Sequence, residues 1–124
     1  MQNSELYRRG IVLPLDMDAE DRLRANDVSA TTEVRILEIP CEGLFESLWR
    51  LGLFQEINAR CETMIDDYEE EIIEASSSES VIAAIDSIVR NSDALQPDVV
   101  KFFQGLRTLA QEAYVLSRPL LFVL

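Results

Sequence analysis

The last five residues of the sequence, Leu120-Leu121-Phe122-Val123-Leu124, are wholly apolar and follow Pro119, which breaks any helix before them. Five residues are too few for a helix, and an exposed apolar strand is a template for aggregation. The segment therefore predicts a buried strand, and a strand needs a partner. Residues 33–39 are the obvious one. They are rich in β-branched side chains, place Val34, Ile36 and Glu38 on one side, and stop at Pro40. A sheet whose strands come from the N-terminal third and the extreme C-terminus obliges everything between to pack on it.

Most of what lies between has helical periodicity. Leu44, Phe45, Leu48, Trp49 and Leu51 recur at near i, i+4 spacing before Gly52, which suits a C-terminal cap. Phe54, Ile57 and Cys61 mark one face of a second helix. Asp66 and Glu69 fit a capping box, so Glu70 and Glu71 are expected in the first turn of a third, where the helix dipole favours acids. Ser76 and Glu79 fit another box ahead of Val81, Ile82, Ile85, Ile88 and Val89, a stripe ending near Asn91. Pro97 suits the first turn of the last helix, with Val99, Phe103, Leu106, Ala110 and Ala113 as its stripe, widened by Phe102, Leu109 and Leu116. Upstream, residues 11–15 read as an edge strand or an extended segment on the core, and the polar residues 16–30 leave room for a turn of helix. The expected fold is α+β: one domain over residues 1–124, with four to five helices on a two- or three-stranded sheet.

A chain of 124 residues, 48% hydrophobic, buries enough surface for a core without disulfides or metal. No apolar run approaches the roughly 20 residues that span a bilayer. Residues 1–9 lack the apolar stretch of a secretory signal, so a cytoplasmic location is expected.

Histidine is absent, which removes the commonest general base, the commonest transition-metal ligand and any Ser-His-Asp or Cys-His arrangement. Cys41 and Cys61 form no C-x-x-C pair and are expected as reduced core thiols. There is no P-loop, no G-x-G-x-x-G and no basic-aromatic stripe. Asp16, Asp18 and Glu20 faintly resemble the start of a calcium loop, with Asp27 at its twelfth position. However, Asp21 stands where the loop needs glycine, and Arg22 and Arg24 fall among the ligands. Neither an enzyme nor a resident cofactor or metal is expected.

Charge is the remaining signal. The net charge is −12, from 23 acids against 11 bases, ten of which are arginines suited to bidentate pairs with carboxylates. Residues 61–89 hold nine acids and no base, so three-quarters of the net charge lies in one window. Such a chain repels nucleic acid and anionic membranes and attracts basic proteins. Charge runs are usually solvated faces. Against that, a solubility face normally intersperses bases, and like charges at i, i+4 such as Asp66/Glu70 and Asp67/Glu71 destabilise a helix. Glu62, Asp66, Asp67, Glu69, Glu70, Glu71, Glu74 and Glu79 are accordingly the candidate partner-binding carboxylates, with Asp86 in the same window. Tyr68, flanked by acids, is the candidate aromatic contact; Phe45 and Trp49 are assigned to the core. A divalent ion on Asp66, Asp67 and Glu70, giving a metal-binding regulatory domain, is the rival use of the same groups.

Four stretches, in order, carry a family resemblance: the strand stopped by Pro40, Leu48-Trp49-Arg50-Leu51-Gly52-Leu53-Phe54 with Ile57-Asn58, Met64-Ile65-Asp66-Asp67-Tyr68-Glu69-Glu70-Glu71, and Arg118-Pro119 before the apolar end. Over residues 33–124 the chain resembles small acidic bacterial immunity proteins, the cytoplasmic antidotes to polymorphic or contact-delivered toxins. The resemblance implies stoichiometric inhibition of a basic toxin domain, often a nuclease, whose phosphate-binding surface an acidic protein can block. A nucleic-acid-mimicking adaptor or phage-encoded inhibitor is the alternative.

Overall fold

Two short apolar strands from opposite ends of the sequence lie side by side at the centre of the molecule. The computed structural model describes residues 9–25, 33–65 and 70–124. Strands β1 (Gly10–Pro14), β2 (Val34–Glu38), β3 (Glu70–Ile73) and β4 (Leu120–Val123) form one antiparallel sheet in the order β2-β1-β4-β3. The α+β architecture is the expected one, with one strand more than anticipated. Pairing differs in one respect. The apolar C-terminal strand does not meet residues 33–39; β1 lies between them, so residues 11–14 of the 11–15 run belong to an interior strand and not to an edge. Pro14 tolerates this because the β1–β4 ladder stops at Val12 opposite Leu121, before the missing N–H of Pro14 or Pro119 matters.

Alternation along the strands sorts side chains into two layers. Ile11, Leu13, Ile73, Leu120 and Phe122 point into the main core. On that side pack α2 (Glu42–Leu51), α3 (Leu53–Cys61), α4 (Ser78–Arg90) and α5 (Pro97–Leu116). Phe54 stands edge-on to Phe122 with ring centroids 6.5 Å apart, and half-buried Trp49 stacks obliquely on Phe54 at 4.8 Å. The opposite face carries Val12, Leu121, Val34, Ile72 and Val123. It is met by Leu23 of a short helix, α1 (Met17–Arg24). On β2 it is Leu37, not the Val34/Ile36 side, that packs into the main core.

Local chemistry sets the helix ends. The Asp16 carboxylate accepts the Ala19 N–H at 2.7 Å and caps α1, with Asp18–Arg22 and Glu20–Arg24 pairs one turn apart along it. These residues form a helix, not a calcium loop. Gly52, at φ 86°, closes α2 and opens α3. Pro97 opens α5, and all of its narrow stripe is buried, although Leu116 is 43% exposed.

Two helix starts are corrected. Glu70 and Glu71 lie in β3 and not in the first turn of a helix: Ile72 and Ile73 prefer the pleated surface, and β4 offers an edge to pair with. The Ser76–Glu79 box does not form either. A single 3₁₀ turn, Ala75–Ser77, precedes α4, whose cap is Ser77 without a side-chain hydrogen bond. Cys41 is exposed ahead of α2 instead of buried in the core, and Val89 is 47% exposed. No described helix is long and apolar enough to cross a membrane.

Candidate functional site

The acidic window begins where α3 ends. Asn58, on the last turn, organises the exit: its amide oxygen accepts the Ile65 N–H at 2.7 Å and the Thr63 hydroxyl at 3.0 Å. Its amide nitrogen donates to the Ile65 carbonyl at 3.0 Å. This clamp seats Ile65 in the core and holds Met64, 79% exposed, outward. Glu62 caps α3 with φ 56°, the left-handed region that glycine adopts at least cost, and is exposed. Asp66, Asp67, Tyr68 and Glu69 lie outside the described residues.

Downstream, β3 forms one edge of the sheet. Glu70 is exposed. Glu71, opposite Phe122, is half-buried on the side of α2–α5. Acids on an edge strand also deter unwanted strand pairing. Glu79 is exposed in the first turn of α4. The C-terminus of α3 reaches this turn, where the Cys61 thiol faces the Ser77 carbonyl at 3.8 Å. Burial pushes the Cys61 thiol pKa up, which disfavours the reactive thiolate.

Two other acids of the window are occupied. Arg24 grips Glu74 through both terminal nitrogens, at 3.0 and 2.8 Å, while its Nε donates to Glu20 at 3.1 Å. Arg118 binds the other oxygen of Glu20 at 2.8 Å. The Arg24 fork holds the Glu74 carboxyl below its ordinary pKa and raises that of the guanidinium. Arg107 likewise makes two bonds of 2.9 Å to Asp86, tying α5 to α4. Glu74 therefore serves as a clamp of α1 onto the start of the 3₁₀ turn, which removes it from the free carboxylates expected of the window.

The arginines tie much of the acidic surface together. Arg9 pairs with Glu42 and lies over the Phe45 ring at 3.8 Å, Arg22 pairs with Asp18, Arg35 with Glu112 and Arg60 with Glu56. With Arg24, Arg107 and Arg118 committed as above, no base among the described residues pairs with Glu62, Glu70, Glu71 or Glu79. Among the described residues no three acidic or thiol side chains converge on a metal-sized site.

Sequence reasoning passed over a second feature. A trough of about 740 Å³ runs between β2 and α5, floored by Leu37 and Phe102 and crossed by the Arg35–Glu112 pair at 3.1 Å. The one available signal was Gly105, a helix-weakening residue in the middle of the strongest helix. A methyl group there would come within 2.9 Å of Leu37 Cδ1. No protein-family model, curated protein or solved structure matches the chain.

Proposed function

We propose that this chain is a protein-binding inhibitor, a cytoplasmic immunity protein that neutralises a basic toxin domain by presenting it with the acidic end of α3, the β3 edge and the start of α4. The observation that carries the reading is the set Glu62, Glu70, Glu71 and Glu79. These carboxylates have no intramolecular base among the described residues, although most of the chain's arginines are engaged with other acids. Uncompensated charge on a protein of net charge −12 speeds encounter with a basic surface and lies ready to replace the phosphates such a surface holds. The strained backbone at Glu62 fits a residue retained for contact instead of for stability.

The genetic test is coexpression with the protein encoded immediately upstream of its gene. Growth arrest by that protein's C-terminal domain, relieved by this chain, is the expected result. A neighbour without toxicity, or toxicity that this chain leaves untouched, contradicts the reading.

A further inference from the structure

Electrostatic attraction speeds an encounter and orients it, but tight binding rests on a few side chains that lose their water at the centre of the contact. The surface of Glu62, Glu70, Glu71 and Glu79 therefore needs an apolar contact of its own. Among the described residues, the exposed large apolar side chains are spread over α1, β2, α4, α5 and the exit of α3. Met64 is the one of them that falls between Glu62 and Glu79 in the sequence.

Single exposed apolar side chains are ordinary on a protein surface. Met64 differs in how its backbone is held. The Glu62 and Thr63 N–H groups both donate to the Asn58 carbonyl, the latter at 3.2 Å. The Thr63 hydroxyl and the Ile65 N–H donate to the Asn58 amide oxygen, and the Asn58 amide nitrogen donates to the Ile65 carbonyl. One residue of α3 thus fixes the chain on either side of Met64, and Ile65 is anchored in the core. Met64 makes none of these bonds and is 79% exposed. A turn ordered before binding loses little further freedom when a partner docks, so little entropy opposes the contact.

Its surroundings say what would meet it. Glu62 stands two residues before Met64 and has no base among the described residues. The end of α3 lies against the turn before α4, where the Cys61 thiol faces the Ser77 carbonyl, so Glu79 in the first turn of α4 belongs to the same end of the molecule. An unbranched thioether fills irregular apolar recesses, and carboxylates beside it favour cations at the rim. We infer that Met64 is the apolar anchor of the acidic surface, inserted into an apolar recess that the partner domain rims with lysine or arginine. The inference rests on the protein-binding function proposed above and adds the contact that charge does not supply.

The probe is the C-terminal domain of the protein encoded immediately upstream, titrated at low and high salt. Met64→Ala should bind at least about 10-fold more weakly than the wild type at both salt concentrations, with an unchanged salt slope, because a neutral side chain is not screened. Its urea midpoint should match that of the wild type, since the side chain is mostly exposed. Met64→Leu should stay within about threefold of the wild-type affinity. Met17→Ala, in α1 on the other face of the sheet and 68% exposed, should bind as the wild type does. Mild peroxide followed by peptide mass spectrometry gives an independent readout. In the free chain Met64 and Met17 should both oxidise readily, and in the complex Met64 should be protected and Met17 not. Slow oxidation of Met64 in the free chain, equal oxidation free and bound, or wild-type affinity of Met64→Ala would overturn the inference and leave the acidic surface standing. A wild type that does not bind the domain at either salt concentration overturns both.

Discussion

At the residue scale, the acids of this chain divide by what faces them. Glu74 is gripped by Arg24, and its lowered pKa makes that grip pH-dependent. A carboxylate whose folded pKa lies below its unfolded value contributes stability above the unfolded pKa and loses it as the pH falls through the folded one. The advantage of the wild type over Glu74→Gln should therefore be present at pH 7 and vanish as the pH falls below the ordinary glutamate range. Urea midpoints at both ends of that range measure it. The effect is small because both side chains are partly exposed. Glu62 is the converse case. It adopts a conformation that suits glycine, so Glu62→Gly should stabilise the fold by roughly 0.5–1 kcal/mol in chemical denaturation while weakening partner binding. Lower stability of the glycine variant would show that the carboxylate has a structural partner. None of this was visible beforehand: the run of acids marked the window, but Arg24 is 50 residues from Glu74 and Arg107 is 21 from Asp86.

At the element scale, local signals and tertiary pairing disagree in one place. Asp66-Asp67-Tyr68-Glu69 has the chemistry of a helix cap, but Glu70–Ile73 is a strand because β4 exposes an edge that residues 72 and 73 can cover. Propensity is settled locally, and the neighbour that overrules it lies about fifty residues downstream. Helices α2 to α5 were legible because their stripes bury against a nearby layer and repeat many times. Two glycines separate the tolerant contacts from the rigid ones. A methyl group on Gly10 would meet the Leu37 carbonyl oxygen at 2.7 Å and Glu38 Cα at 3.3 Å, both backbone atoms of the paired strand. Gly10→Ala should cost about 1–3 kcal/mol. Gly105→Ala meets only the mobile end of Leu37 and gains helix propensity of up to about 1 kcal/mol, so the two effects should nearly cancel. Thermal unfolding of the pair checks this. Equal losses would mean that α5 and β2 are as rigidly apposed as β1 and β2.

At the scale of the whole molecule, the last strand is interior. β4 pairs on both sides, and Phe122 and Leu120 are fully buried among the helices. Removing residues 120–124 takes out the strand that pairs with both β1 and β3. The truncated chain should lose its cooperative unfolding transition in calorimetry; a retained sharp transition would mean that the helical layer folds without the sheet. This placement was half legible. The apolar end of the sequence demanded burial in a strand, but its neighbours could not be read from composition, because residues 11–15 contain a proline and resemble an edge.

The candidate surface shows the same division. Its window was visible as charge, whereas the subset left unpaired depended on which arginine reaches which acid. The proposed function requires Glu62, Glu70, Glu71 and Glu79 to face a basic partner. The most direct measurement is the affinity of the proposed basic partner domain, sought in the upstream reading frame, for the wild type and for the quadruple glutamine variant across a salt series. The wild type should lose affinity steeply with salt, and the variant should bind roughly 10-fold or more weakly at low salt with a shallower dependence. Equal affinities and equal slopes would contradict it and reduce the acidic window to a solvated face.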